Sequence, residues 1–349
     1  MSQHSSKNLI SLQPLPLVSA LMTVFNAEKY LSASIESILD QTFSNWEFII
    51  VDDASTDRSL EIMEAYAAKD RRIRLICNEC NKGQTLCLNQ GLKEARGRWV
   101  ARQDADDLSD PTRLEKQLAR VTGEPSLALL GTSGFIIDEH DRRTGLLDLP
   151  LTEELIRWSA PILNPFLHTS VLFQTEVACT LGGYDTQYRI AQDYDLWTRM
   201  MAEHCVANLP ERLVSYRHLE SSLSKVGRST AFEEAQAISE REEQKAFGRQ
   251  LNVEERELFA EFRSGLSLSK RKQFWKLYNV LQSSLQSSKR KDSSVLFDAK
   301  RLCASYHLKI AGSARSSSAS LLSMMAEIGT ALCVDPKFTV KWFWERYGR

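Results

Sequence analysis

Three aspartates stand within four residues of the sequence, Asp104, Asp106 and Asp107, in the stretch ARQDADDLSD. They follow the hydrophobic pair Trp99 and Val100, at the end of a predicted buried strand. Carboxylates crowded in this way repel one another unless a cation lies between them. Mg²⁺ and Mn²⁺ prefer oxygen ligands and are typically held by one or two carboxylates together with phosphate oxygens. The stretch therefore predicts a divalent-cation site for a nucleotide diphosphate.

Two other interpretations of the acidic stretch stay open. In an EF-hand, Asp104, Asp106 and Glu115 would occupy positions one, three and twelve of a calcium loop, but Leu108 and Ser109 stand where a ligand and a glycine belong. A solvated turn is also compatible, because Asp and Ser are common turn residues. The spacing of Asp104 and Asp106, which can put both carboxylates on one side of an extended segment, favours the cation site.

Strands alternating with helices are predicted to carry these acids. Mostly apolar runs of strand length occupy residues 17–25 and 46–53, further strands are predicted at 72–79 and 98–104, and segments with helical spacing separate them. This alternation predicts an α/β fold with a parallel sheet and helices on both faces. Ligands of such sheets bind at the carboxyl ends of the strands. Because Asp52–Asp53 and Asp104–Asp107 both follow predicted strands, we expect them to face one crevice.

Composition narrows the class of protein. The chain has 349 residues, of which 43% are hydrophobic, and its formal net charge is -1. These values suit one large domain with an appendage and argue against nucleic acid as the partner of the whole chain. Residues 263–349 contain 16 Lys and Arg against 5 Asp and Glu, which suggests either a polyanionic or membrane partner or a solvated helical face.

The seven cysteines and the hydropathy pattern bear on the compartment. Cys77 and Cys80 form a CxxC without a second pair, so we expect incidental thiols in a reducing compartment. We recognise no secretory signal pattern and no apolar run near the length of about 20 residues that a transmembrane helix needs. The sequence therefore predicts a cytoplasmic protein, either free or peripheral at the inner face of the membrane.

Several separated motifs resemble family 2 glycosyltransferases, in particular those that build bacterial cell-surface polysaccharides. They are VSALMTVFNAEKYLSASIESILDQTFSNWEFIIVDDASTD, NKGQTLCLNQGLKEARGRWVARQDADD and LGGYDTQYRIAQDYDLWTRM. The resemblance covers residues 16–220. It implies the GT-A fold, a Rossmann-like, mixed but mostly parallel sheet flanked by helices. The expected organisation is a flexible lead-in at 1–16, a GT-A domain at 17–230 and a basic, helical C-terminal region at 231–349.

The resemblance implies a nucleotide-sugar site around the first two strands. Asp53 would hydrogen-bond the base, unless it caps the following helix. Lys82 would face phosphate, unless it is a plain surface lysine. The end of the first strand would contact the nucleoside, with the ring of Phe25 stacking on the base, through Thr23, Phe25, Asn26 and Glu28.

The same resemblance implies a metal site. Asp104 and Asp106 match the DxD motif, in which Asp106 would bind Mn²⁺ or Mg²⁺ directly and Asp104 would contact ribose or the metal. His218, in YRHLESSLS, would complete the metal shell or contact phosphate, unless it is structural.

Asp193 matches the acid of the family's ED motif, which acts as the general base. Gln192 stands where glutamate is usual, which removes one local carboxylate. Asp195 lies close enough to be mistaken for the base, and a capping or salt-bridged Asp193 is the alternative. On the acceptor side we expect His168 and Trp197, although either could simply be buried.

The resulting prediction is an inverting, metal-dependent enzyme that moves a single sugar from a nucleoside diphosphate sugar, with UDP preferred, to an acceptor hydroxyl. The acceptor would be a glycan or a lipid-linked glycan in O-antigen, capsule or lipopolysaccharide biosynthesis. The C-terminal region would contact the membrane, through Trp342, Phe343 and Trp344 with Lys341 and Arg346, or form an oligomer. The alternatives are an inactive nucleotide-sugar-binding module and a nucleotidyltransferase.

Overall fold

The computed structural model describes residues 15–219 and 227–256. Its first half alternates strands and helices as predicted, because long apolar runs form strands that are buried on both faces. The elements are β1 (Val18–Val24), α1 (Leu31–Leu39), β2 (Trp46–Asp52), α2 (Ser59–Ala67), β3 (Ile73–Cys77), α3 (Gln84–Glu94) and β4 (Trp99–Arg102).

The second half mixes strand directions and short helices. Its strands are β5 (Leu108–Ser109), β6 (Leu127–Ile137), β7 (Arg143–Leu147), β8 (Leu172–Gln174) and β9 (Cys205–Arg217). Its helices are α4 (Arg113–Gly123), α5 (Glu153–Ser159), α6 (Thr175–Thr180), α7 (Gln192–Glu203) and α8 (Arg228–Phe247), and a 3₁₀ turn spans His168–Ser170.

Within the described residues these strands form one nine-stranded sheet, in the order β3-β2-β1-β4-β8-β6-β9-β5 with β7 beside β6. The pairs β1–β2, β2–β3, β1–β4 and β6–β9 are parallel, and β4–β8, β6–β8, β6–β7 and β5–β9 are antiparallel. The predicted mixed, mostly parallel α/β sheet is therefore present, and its parallel half contains β1, β2 and β4 side by side.

Two hydrophobic clusters cover the two faces of the sheet. One surrounds Phe48 and Met22 under helices α1, α2 and α4. The other surrounds Leu21 and Trp197 under α3, α6 and α7. Because α3 and α7 lie on the same face, the loops at their N-termini meet beside the carboxyl ends of the central strands.

Several predictions fall on parts of the chain outside the described residues. They include the lead-in apart from residues 15 and 16, and the C-terminal region beyond residue 256 with its aromatic and basic end. Helix α8 spans the predicted division at residue 230, so the domain limits stay a prediction. Among residues 15–219 and 227–256, no helix combines the length and apolar character needed to cross a bilayer.

Candidate active site

The two acidic clusters lie at the same edge of the sheet. Asp52 pairs with Val24 at the end of β1, and the backbone N–H of Asp53 donates to the carbonyl of Val24 at 2.8 Å. On the other side of β1, Arg102 pairs with Leu21 at the end of β4. The parallel register thus brings residues 53 and 104 to the carboxyl edge on either side of one strand.

Asp53 organises the loop between β3 and α3. Its Oδ1 accepts hydrogen bonds from the backbone N–H of Lys82 at 2.8 Å and from Nδ2 of Asn78 at 3.2 Å, and its Oδ2 accepts from the N–H of Gly83 at 2.8 Å. Burial opposes ionisation, but these donors prevail and lower the pKa of Asp53. Gly83 adopts a φ of 91°, which suits glycine. Asp53 is therefore an ionised anchor of this loop, and it does not cap the helix that follows it.

Of the residues that follow β1, Asn26 and Glu28 hold a neighbouring loop, whereas the side chain of Phe25 is exposed. Oδ1 of Asn26 accepts from the N–H of Thr56 at 2.8 Å, and Oε2 of Glu28 accepts from the N–H of Arg58 at 2.9 Å. Phe25, by contrast, is 51% exposed at the rim. Phe25 thus has a ring available for stacking, whereas Asn26 and Glu28 hold the loop after β2.

Thr23 and Lys82 also make internal contacts. Thr23 is buried, and its Oγ1 accepts a long hydrogen bond from Nη2 of Arg102 at 3.4 Å. Nζ of Lys82 donates to Oδ1 of Asn78 at 2.9 Å, so the ammonium group lies beside the Asp53 loop.

A fully buried arginine supports the DxD loop. Nη2 of Arg102 contacts Oδ1 of Asp104 at 2.5 Å, and the backbone N–H of Asp104 donates to Oγ1 of Thr169 at 3.1 Å. Nε2 of Gln103 donates to the carbonyl oxygens of Asp104 and Asp107 at 3.1 and 2.8 Å. Asp104 is therefore fixed in a charged pair, which leaves Asp106 as the acid more available for a cation.

The two other acids of this loop are Asp106 and Asp107, and neighbouring cations do not fully compensate their negative charge. Burial and the neighbouring Asp104 raise the pKa of Asp106 to about 6. Burial and both neighbouring acids also raise the pKa of Asp107, whose Oδ1 accepts from the backbone N–H of Arg217 at 2.7 Å. Among the described residues, Oδ2 of Asp107 is buried without a hydrogen-bond partner. Hard oxygen donors with a deficit of positive charge fit a divalent cation.

His218 follows the last residue of β9, beside the acidic loop. Its backbone N–H donates to the carbonyl of Ile137 at 2.9 Å, and Nε of the preceding Arg217 donates to the carbonyl of Asp106 at 2.7 Å. In the described part of the chain, the acids and histidines do not form a ready cluster of three metal-binding side chains. The backbone therefore places His218 near the loop without bringing its ring into a formed cation site.

Asp193 lies in the first turn of α7. Its Oδ2 accepts from Nδ2 of Asn164 at 2.8 Å, and its Oδ1 accepts from the N–H of Tyr194 at 2.7 Å. Burial raises the pKa of Asp193 to about 6, and the negative charge of Asp104 contributes in the same direction. The charge of Asp104 therefore acts on Asp193 across the site.

Asp195 is distinguished from Asp193 by its ion pairs. Its buried carboxylate contacts Nη2 of Arg199 and Nη1 of Arg241, each at 2.7 Å. This neutralised carboxylate packs α7 against α8. Asp195 is therefore the salt-bridged acid of α7. Of the two acids, Asp193 is the better candidate for the reactive one.

His168 and Tyr184 lie next to each other, and His168 lies beside Arg102. Nε2 of His168 lies 3.3 Å from Nε of Arg102, which can only donate, and 3.4 Å from Oη of Tyr184. Burial and Arg102 lower the pKa of His168 to about 3. The imidazole is therefore neutral, with its proton on Nδ1, and acts as an acceptor at Nε2.

Trp197 does not line the site itself. The side chain is fully buried, and its ring lies edge-on to Phe166 and Tyr184 at centroid distances of 6.4 and 6.1 Å. Trp197 therefore packs in the core, which was the alternative to an acceptor contact, and no surface of the indole reaches solvent. Its role is to support His168, whose ring lies 6.2 Å away.

This packing role predicts a large stability effect. We expect Trp197→Ala to lower the free energy of unfolding by about 3–5 kcal/mol, because it removes the largest fully buried side chain and leaves a cavity. Urea unfolding followed by circular dichroism measures the change. A loss below about 1 kcal/mol would show that the indole is not part of the core.

Gln192 connects the first turn of α7 to the start of α3. Its Nε2 donates to Oε1 of Gln84, the first residue of α3, at 3.2 Å, and its own Oε1 is buried without a partner. Asn89, one turn further along α3, exchanges two hydrogen bonds with the backbone of Tyr184 at 2.7 and 2.8 Å. Helix α3 therefore contacts both the Asp53 loop and the segment that leads to Asp193.

Comparison with known proteins decides the family. A model described as Glycosyl transferase family 2 matches residues 19–178. EpsE of Bacillus subtilis is 40% identical over 206 residues, which cover 58% of this chain and 73% of EpsE. The O-antigen biosynthesis glycosyltransferase WbnJ of Escherichia coli is 32% identical over 223 residues, covering 62% of this chain and 85% of WbnJ.

The chain belongs to glycosyltransferase family 2. The predicted family and the predicted enzyme class are therefore confirmed, and the nucleotidyltransferase alternative is set aside.

Solved structures agree on the fold of this glycosyltransferase. S. aureus TarS 1-349 in complex with UDP-GlcNAc has a TM-score of 0.55 at 18% identity, covering 92% of this chain and 91% of that one. The mannosyltransferase PcManGT from Pyrobaculum calidifontis, in complex with GDP-Man and Mn²⁺, has a TM-score of 0.51 at 18% identity, covering 94% and 83%. The GT-A fold prediction is confirmed.

Sequence reasoning missed the buried cations and amides of the glycosyltransferase. Arg102 interrupts an otherwise apolar strand directly before the acids, which is a signal for a buried ion pair. Arg217 gives a similar signal at the end of β9. Asn164 and Tyr184 have no comparable sequence signal, because their contacts join segments that are separated in the sequence.

Proposed function

We propose that this glycosyltransferase is an inverting enzyme that transfers one sugar from a UDP-sugar to an acceptor hydroxyl, with Asp193 as the general base. The observation that carries the proposal is the arrangement of Asp193 and Asp104 around the Arg102–His168–Tyr184 cluster. Asp104 pairs with the buried Arg102, whose Nε lies 3.3 Å from Nε2 of His168, and Oη of Tyr184 lies 3.4 Å from the same nitrogen. Asp193 lies in the first turn of α7, where it accepts a hydrogen bond from Asn164. Donor and acceptor would meet between the two acids.

The nucleoside would bind between Phe25 and Asp53. The exposed ring of Phe25 offers a stacking surface. The ionised Asp53 carboxylate can accept from a uracil N–H in addition to the bonds it already receives, since each oxygen has more than one lone pair. The UDP-GlcNAc in the TarS structure and the resemblance in sequence support UDP as the nucleotide.

Asp106, assisted by Asp104, would hold the divalent cation, and His218 could join from the end of β9. The crowding of acids at this loop and the unpartnered Oδ2 of Asp107 support a cation there. When bound, Mn²⁺ or Mg²⁺ would neutralise the pyrophosphate and stabilise it as it leaves. The Mn²⁺ in the PcManGT complex supports this choice of cofactor.

Asp193 would remove the proton of the acceptor hydroxyl as the oxygen attacks the anomeric carbon. Its buried position makes the carboxylate a stronger base than a solvated aspartate, while Asn164 and the N–H of Tyr194 fix its orientation. A base opposite the departing diphosphate gives inversion of configuration. His168 would offer a polar contact to the acceptor or the transferred sugar, with the buried Tyr184 hydroxyl behind it.

The acceptor is proposed to be a glycan, free or lipid-linked, in surface-polysaccharide biosynthesis, as the O-antigen role in the name of WbnJ suggests. Cytoplasmic location with peripheral membrane contact through residues 231–349 remains part of the proposal. If a chain truncated after residue 260 sedimented with membranes as well as the full chain does, a membrane contact through residues 261–349 would be ruled out.

A donor screen tests the proposed function. We expect purified protein with Mn²⁺ to release nucleoside diphosphate from one UDP-sugar in a panel of UDP- and GDP-sugars, and to lose this activity with EDTA. Release from none of them, with UDP binding absent as well, would overturn the proposal.

The pH dependence follows from the raised pKa of Asp193. Since the base acts only when it is deprotonated, kcat/KM should be level above about pH 7 and fall about tenfold per unit well below pH 6. Turnover of the best donor at saturating Mn²⁺, measured from pH 4.5 to 8.5, gives the profile. A profile that stays level down to pH 4.5 would contradict a base with this pKa.

A further inference from the structure

A single carboxylate of α8 holds the segment that leads into Asp193. Oε1 of Glu234 accepts a hydrogen bond from the backbone N–H of Arg189, and Oε2 accepts from those of Ile190 and Ala191, each at 2.9 Å. Ala191 directly precedes α7, and Asp193 is the second residue of that helix. Glu234, distant in sequence, thus fixes three consecutive peptide groups immediately before the proposed base.

The same face of α8 makes two further contacts with α7. Ile238, one turn after Glu234, is fully buried and packs in a small cluster with Tyr194. Nη1 of Arg241, another turn on, contacts Oδ1 of Asp195 at 2.7 Å. The residues on both sides of Asp193 are therefore held by one helix, and Asp193 itself is left free of ion pairs.

Glu234 satisfies backbone N–H groups at the entry to α7. Ala191 is the N-cap of that helix, and its N–H has no partner within the helix, whereas the N–H groups of Arg189 and Ile190 lie just before it. A carboxylate near a helix N-terminus is also favoured by the helix dipole. Without that carboxylate, the peptide groups at 189–191 would turn toward water and the first turn of α7 would loosen. A displacement of about 1 Å at a reacting group can cost about 100-fold in rate.

We propose that Glu234 is a positioning residue for the transfer reaction, which sets the place of the Asp193 carboxylate through the backbone of residues 189–191. This inference rests on the proposed role of Asp193 as the base. Helix α8 lies beyond residues 19–178, which the family model matches. Asp193 also lies beyond that match, so both residues of this inference are outside it.

The test compares Glu234→Gln with Glu233→Gln in the full-length chain. Glu233 is exposed on the same helix, so its substitution is a matched control for the loss of one carboxylate. We expect Glu234→Gln to lower kcat for UDP release from UDP-GlcNAc with Mn²⁺ by at least about tenfold. The same comparison applies to whichever sugar nucleotide the wild type turns over fastest. The KM for that donor and the Kd for UDP with Mn²⁺ should stay within about twofold.

Amide hydrogen exchange supplies a readout that does not depend on activity. In Glu234→Gln, exchange should accelerate in the peptide that contains residues 189–193, whereas Glu233→Gln should match the wild type. A purely structural effect would instead raise the donor KM together with the loss of kcat and accelerate exchange across the whole domain.

The outcomes separate this inference from the proposed function. An unchanged kcat in Glu234→Gln, with or without faster exchange at 189–193, would overturn the positioning role. If Asp193→Asn lost turnover while Glu234→Gln kept it, only the role of Glu234 would be wrong. If Asp193→Asn kept turnover, the base assignment would fail, and the inference with it.

Discussion

Asp193→Asn should lower kcat for sugar transfer by about 10²–10⁴-fold while leaving the affinity for UDP with Mn²⁺ unchanged. The amide has the shape of the carboxylate and can still accept from Asn164, but it cannot take a proton from the acceptor. Because the side chain lies on α7 and the proposed donor site lies around Asp53 and the loop between β3 and α3, the substitution should not disturb donor binding. Nucleoside diphosphate release and calorimetric titration of UDP measure the two quantities.

Asp185→Asn is the matched control for that substitution. Asp185 lies on the loop that leads into α7 and accepts from the N–H of Gln187 at 2.9 Å, a bond that the asparagine oxygen retains. It should leave kcat and UDP affinity near wild type. If Asp193→Asn lost UDP binding in parallel with turnover, Asp193 would belong to the donor site or to the folding core, and another residue would be the base.

Asp106→Asn should weaken the Mn²⁺-dependent binding of UDP by about 100-fold or more. Loss of a group that merely orients a metal ligand already costs about 10–100-fold, and Asp106 is the proposed direct ligand. Calorimetric titration of UDP with and without Mn²⁺ measures the loss. Asp110→Asn, four residues further along the chain on an exposed turn, provides the control.

Asp106→Asn should also change the thermal stability of the metal-free protein, in the favourable direction, although it weakens UDP binding. A carboxylate whose folded pKa is raised binds its proton more tightly in the folded state, so above about pH 6 its charge opposes folding. The asparagine removes that charge, so Tm without metal should rise or stay level at pH 8, whereas the increase in Tm on adding Mn²⁺ should be lost. A lower metal-free Tm with an intact response to Mn²⁺ would make Asp106 a structural residue.

The sequence predicted the parallel half of the sheet well, because strands buried on both faces are continuous apolar runs. Runs such as residues 17–25 and 46–53 became β1 and β2 with ends shifted by one residue. The antiparallel additions were harder to predict. Strands β5 and β8 are two and three residues long, so their sequence carries no periodicity, and their place in the sheet depends on pairing with β9, β4 and β6.

The residues of the site also differ in how well the sequence predicted their roles. Acids at strand ends, such as Asp53 and Asp104, were predictable because parallel strands share a carboxyl edge. Trp197 was assigned to the acceptor side because four residues separate it from Asp193 on one helix, but that helix turns the indole into the core. The three backbone bonds of Glu234 had no sequence signal, since an exposed-looking glutamate on a polar helix is ordinarily solvated.

The central claim is that Asp104 and Asp106 hold a cation with a nucleoside diphosphate on the donor side, opposite Asp193. Crystals grown with Mn²⁺ and UDP test it most directly, through the anomalous scattering of manganese. We predict an anomalous peak within about 2.3 Å of an Asp106 carboxylate oxygen, bridged to the diphosphate, with the uracil ring on Phe25 and Asp53. UDP bound elsewhere, or manganese absent from the Asp104–Asp106 loop at full nucleotide occupancy, would contradict the claim.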